Sequence, residues 1–255
     1  MPEDDAFFGP ALKYHRGCEH IRDTTFTVNS YLARKPYSVT AERKTKSGKQ
    51  LVWVTRVKEA IPKFLPGIIG DAIHNLWDSL ELVTTAAARK TVRNDRDVHF
   101  PTRGSKQRFE CAVDEGFKKW PSPGIVGVFK TMIQAYPRGN GYLLRALHDL
   151  AIQDKHRLIT PILSTVEIQA IVGYNKGGNQ VILGMPVQRG PVKDGAELTR
   201  TPTIDGLEIG DNAYAALTIS FDQSVPALKE GKIVATLIQI AYDVQAALDL
   251  LRPYV

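Results

Sequence analysis

The chain has 255 residues, 43% of them hydrophobic, which suffices for one large domain or two small ones with a sizeable core. Its formal charge of +6, from 33 Lys and Arg against 27 Asp and Glu, permits an anionic partner without demanding one. Cys18 and Cys111 fit neither a metal-ligand spacing nor a disulfide framework, the start MPEDDAFFGP lacks the basic-then-apolar order of a signal peptide, and no apolar run reads as membrane-spanning. A soluble, cytoplasmic protein with no membrane partner is therefore expected.

Residues 11–34 read as a helix with Leu12, Cys18, Ile21, Phe26 and Leu32 toward the core, stopped by Pro36. Alternation at Tyr37, Val39 and Ala41, and again at Val52 and Val54 around Ser47-Gly48, predicts a β-hairpin with Arg43, Lys44, Lys46 and Lys49 at its tip. A second long helix, 62–90, turns Ile69, Ala72, Ile73, Leu76, Leu80 and Val83 inward. Its other side carries Asp71, His74, Asn75 and Asp78. Asp and Asn are poor helix formers, so four short polar groups on one face suggest contact with another polar element. Gly70, inside this helix, costs about 1 kcal/mol against alanine and suggests close approach of a neighbouring backbone.

Residues 89–108 are basic and loop-like, with His99-Phe100-Pro101 as an anchored segment. Ser105 caps a helix of Phe109, Val113, Phe117 and Trp120, and Ile125 to Tyr136 gives another amphipathic helix. Helix 142–157 places Leu143, Leu147 and Leu150 on one face with Asp154 among them, where a carboxylate must be paired or hydrogen-bonded. The opposite face holds Arg145, His148, Asp149, Ile152, Lys155 and His156. Val166, Ile168 and Ala170, then Val181 to Met185, then Ala215 to Phe221 predict an antiparallel meander. Helix 231–251, with one apolar stripe from Ile233 to Leu251, closes the chain.

This order predicts an α+β fold, a helical bundle of about four long helices with one antiparallel sheet from the early hairpin and the late meander. It reads as a single domain over 1–255, with a helical core 60–157, a mainly β part 158–222 and the closing helix 231–251.

No phosphate-binding glycine loop, nucleophile elbow or HExxH motif is present. The candidate catalytic residues are His74, Asn75, His148, Lys155 and His156, because imidazoles suit acid–base work near neutral pH and a lysine can hold an anionic phosphate. Arg145 and Arg157 are candidate substrate-binding cations, and Asp154 and Asp78 read as structural carboxylates. His74 and Asp78, four apart on a helix, also make a metal pair conceivable with His148 or His156. The preferred set uses no metal and no cofactor.

The stretches GDAIHNLWDSLELV, HFPT and YLLRALHDLAIQDKHRLIT resemble a bacterial family of uncharacterised proteins over roughly residues 60–165. The resemblance rests on Gly70, Asp71, His74, Asn75, Asp78, Phe100, Pro101, Asp154, Lys155, His156 and Arg157. Trp77 stands where that family tends to have Arg, and Glu81 where Asp-His is frequent. The bundle also resembles, distantly, HEPN domains, helical modules that often bind or cleave RNA; Arg93-Asn94 followed by His99 has the spacing of their active motif. Three functional classes follow. The first is a binding or regulatory module without chemistry, with a homodimer as one partner state. The second is a HEPN-like, metal-independent ribonuclease of a defence or toxin kind. The third is a metal-dependent hydrolase. Any nucleic-acid partner is expected to be held through its phosphates by the basic stretches. The sequence leaves open whether the protein is an enzyme.

Overall fold

The computed structural model describes residues 6–43, 48, 50–89, 98–117, 123–167, 171–175, 180–183, 190–202, 207–208, 216–222, 228 and 231–255. It is an α+β fold organised on α2 (Leu65–Ala88), which packs against α1 (Phe8–Ala33), α5 (Tyr142–His156) and α6 (Ile233–Leu251). Ile69, Ala72, Ile73, Leu76, Leu80 and Val83 are fully buried on α2, as the apolar spacing predicts. At about 25 cal/mol per Å² of apolar surface, such a stripe supplies much of the drive to pack the bundle.

The face that α1 buries differs from the expected one. Ile21 is buried, but Leu12 and Phe26 are 49% and 74% exposed. The buried stripe is Pro10, Gly17, Ile21, Thr24, Val28 and Tyr31. Close helix approach decides this: a Cβ at Gly17 would lie 2.8 Å from the Leu76 side chain, so only glycine admits Leu76 there.

Between the long helices lie α3 (Lys106–Phe117) and α4 (Pro123–Val128). The Ser105 hydroxyl caps α3 by accepting from the Arg108 N–H at 3.4 Å. α4 continues as a π-helical turn, Phe129–Ile133, that stops at Gln134 with φ 47°, so Met132 is turned out to solvent while Phe129 and Ile133 stay buried. The amphipathic pattern over this stretch is thus not one regular helix.

The β part is also divided more finely than expected. Among the described residues all strand pairings are antiparallel, and the strands form three three-stranded sheets rather than one. The hairpin β1 (Tyr37–Arg43) and β2 (Gln50–Val57) is extended by β7 (Glu197–Pro202), with a register shift at Trp53/Val54. β3 (Pro161–Glu167) sits between β6 (Gly190–Pro191) and β9 (Ala216–Phe221), and β4 (Ile171–Asn175) between β5 (Gln180–Leu183) and β8 (Leu207–Glu208). β7 falls in a stretch that reads as loop from its composition. Ile168, Ala170, Met185 and Ala215 lie outside the described residues, as do Trp120 and the side chains at the hairpin tip from Arg43 to Lys49.

The segment Ile233–Tyr254 is long and apolar enough to cross a membrane by length and composition, with a mean hydropathy of 1.4. That differs from the sequence reading, which saw no such run. Its stripe of Ile233, Leu237, Ile240, Val244, Leu248 and Leu251 is buried against the bundle.

Candidate functional site

α2 and α5 run antiparallel, and the residues between them set their separation. At one end the Asp154 carboxylate lies directly over Gly70, where a Cβ would be 2.4 Å from Asp154 Oδ2. The glycine therefore admits a side chain, not the neighbouring backbone expected from sequence. Further along α2, Trp77 meets the His148 ring edge-on, with centroids 4.9 Å apart. Beside these contacts lies a cleft lined by both helices.

Asp154 is 10% exposed and ties the end of α5 to the bundle. Its Oδ2 faces His74 Nε2 at 3.2 Å, and its Oδ1 accepts the Ile159 N–H at 3.2 Å, beyond the helix end. The group that orients His74 is thus Asp154, and neither Asn75 nor Asp78 does so. Asn75 donates to the Asp71 carbonyl of its own helix at 2.8 Å, and Asp71 is exposed. Asp78 accepts from Lys13 of α1 at 2.8 Å. The polar face of α2 therefore meets three environments rather than one partner. Alanine at Gly70 is expected to cost about 1 kcal/mol net in a denaturant melt: overpacking of about 1–3 kcal/mol outweighs the roughly 1 kcal/mol gained in helix propensity.

The cleft has a volume of about 510 Å³, within the range of small-molecule sites. α2 contributes Trp77, Asp78 and Glu81; α5 contributes His148, Ala151, Ile152 and Lys155; the segment before α3 contributes His99, Phe100, Thr102 and Arg103. That segment is anchored as its sequence suggests. Phe100 is 2% exposed and stacks edge-on against Trp77 and Phe129, and the Arg103 N–H donates to the Ala135 carbonyl at 3.3 Å. Trp77 and Phe100 make a buried floor, not an exposed stacking platform.

Glu81 is the most deeply set carboxyl in the cleft. Burial raises its pKa, opposed by the contact with His99, by the Phe100 N–H and by the charge of His148. His99 Nδ1 lies 3.2 Å from Glu81 Oε2, and the Phe100 N–H donates to Oε1 at 3.3 Å. A carboxyl whose folded pKa is raised favours the folded state below its ordinary range and loses that contribution as pH rises through the raised value. The Glu81 contribution should therefore fall as pH rises from the ordinary carboxylate range through the raised value, and Glu81→Gln should remove that component from the pH dependence of denaturant melts.

The tautomer of the neutral His148 ring follows from its nearer neighbour, Asp149 Oδ1 being farther from Nδ1 at 3.6 Å. Arg145 lies 3.0 Å from its Nδ1, and a guanidinium only donates, so Nδ1 accepts and the neutral ring carries its proton on Nε2. Arg145 is itself held by Asp149 at 2.7 Å.

Of the residues proposed from sequence, the cleft gathers His148, Lys155 and Asp78. His74 pairs with Asp154 and does not line it, and Asn75 bonds within its helix. His156 and Arg157 are exposed at the end of α5, and Arg145 stands behind His148. Glu81, Trp77 and Arg103 are not among the site residues proposed from sequence, and His99 is among them only through the HEPN-type spacing. Glu81 was legible, since it follows His74 by seven residues and so shares its helix face. Arg93 and Asn94, the other members of the HEPN-type spacing, lie outside the described residues. Among the described residues no three His, Cys, Asp or Glu side chains converge to hold a metal ion. No family model, no curated protein and no solved structure matches this chain.

Proposed function

We propose that the protein is a binding module whose α2–α5 cleft holds a compact anionic ligand bearing a phosphate or carboxylate. The observation that carries this reading is the charge balance of the cleft. Both carboxyls have partners, Asp78 in Lys13 and Glu81 in His99 and the Phe100 N–H. Among the described residues the Arg103 guanidinium donates only to the Thr102 carbonyl, and Lys155 is exposed without a carboxylate partner. A guanidinium from the segment before α3 and an ammonium from α5, lining one cleft, suit a multi-oxygen anion. The buried floor argues against reading bases by stacking, which needs exposed aromatic faces. The test is thermal melting with inorganic phosphate, nucleoside monophosphates and small dicarboxylates. A saturable rise in Tm with one class supports the reading, and no rise with any class counts against it.

A second reading, metal-independent acid–base cleavage of a phosphodiester, is favoured by one observation: Glu81, His99 and His148 line the same cleft as Lys155. In that reading His148→Ala lowers RNA cleavage by about 10²–10⁴-fold, insensitive to EDTA, while His156→Ala leaves it unchanged. No cleavage of any RNA tried leaves the binding reading alone.

A further inference from the structure

The residues of α1 that face away from the bundle form a continuous stripe: Phe8, Leu12, His15, Glu19, Arg22 and Phe26 are all exposed. At about 100° per residue Phe8 and Phe26 fall at the same angle of the helix, about five turns and 27 Å apart, and the other four lie within roughly 40° of the line joining them. Three large hydrophobic residues on the solvent side of one helix, two of them over half exposed, are more than scattered surface apolar groups. Glu19 and Asp23 are balanced by Arg16 and Arg22, so this face carries no excess positive charge to hold it to an anionic lipid surface.

We propose that this stripe is a homodimer interface in which α1 packs antiparallel against α1 of a second copy. The stripe is complementary to itself under a two-fold axis, as an isologous interface requires. Setting Phe8 against the partner's Phe26 fixes the register. Seven residues inward from each end, His15 then faces the partner's Glu19, and Glu19 faces the partner's His15. Leu12 lies against the aliphatic stem of the partner's Arg22. The phenylalanines close both ends and the two His–Glu pairs flank the centre. Among the described residues of one chain Glu19 has only a loose pairing with Arg16 at 3.7 Å, which leaves it available to the partner. Parallel packing at the same level would instead set Glu19 beside the partner's Glu19.

Light scattering across a concentration series, with folding checked by circular dichroism, tests this. The wild type is expected to dimerise at micromolar concentration. Phe26→Glu should weaken the dimer by at least about 100-fold without unfolding the chain, because Phe26 is 74% exposed. His15→Glu should also weaken it, by placing like charges opposite each other, and adding Glu19→Lys to His15→Glu should restore it. A wild type that is monomeric at every concentration overturns the proposal. So does a dimer indifferent to Phe26→Glu, or one not restored by the charge swap.

Discussion

Replacing Asp154 by alanine is expected to destabilise the fold by about 2–3 kcal/mol, the upper part of the range for leaving a buried donor unpaired. The carboxylate is 10% exposed and serves two groups, the imidazole of His74 on α2 and the backbone N–H of Ile159 beyond α5. Its removal frees the strand-side connection from the helix end and leaves the Ile159 N–H without its acceptor. The same substitution should reverse the sign of Gly70→Ala. With the carboxylate gone, a Cβ at position 70 loses the 2.4 Å clash and fills part of the vacated space. In that background Gly70→Ala should stabilise by about 1 kcal/mol through helix propensity alone. A double-mutant cycle by denaturant melt reads both effects, and strict additivity would contradict the contact as the reason for the glycine.

The second large effect concerns the ligand. Arg103→Ala combined with Lys155→Ala should weaken anion binding by about 100-fold, since each charged hydrogen bond is worth about 1.5–3 kcal/mol and part of that is already met by solvent. Both side chains are exposed, so the fold should survive with its Tm little changed. Arg157→Ala, at the exposed end of α5 and away from the cleft lining, should leave the affinity as it is. Calorimetric titration with whichever anion raises the wild-type Tm measures all three.

The helices of this fold are legible in the sequence because their apolar spacing is strong, as on α2 and α6. α1 is the instructive exception. Leu12 and Phe26 read as core by hydrophobicity, yet the face that docks is chosen by Gly17, whose missing side chain lets Leu76 approach. Hydrophobicity registers what a residue would gain by burial, and steric fit decides which face obtains it. The sheets are less legible, because β6 and β8 are two residues long and pair across the chain rather than with sequence neighbours.

For the site, Asp154 on a leucine face points to a partner but cannot identify it, because His74 is eighty residues away. The cleft itself is assembled from α2, α5 and the segment before α3, a combination that no single-helix wheel contains. His74 and His148 look equivalent in sequence, and only the packing separates the one held by Asp154 from the one set in the cleft.

The proposed ligand site is the α2–α5 cleft. Its most direct measurement is a heteronuclear NMR titration with the anion that stabilises the protein, following the Trp77 indole and the His99 and His148 imidazoles together with the other histidines. The account predicts that these three cleft signals shift together along one saturation curve, while His15 and His156 stay where they are. Saturable shifts at other sites with the three cleft signals unmoved would contradict it.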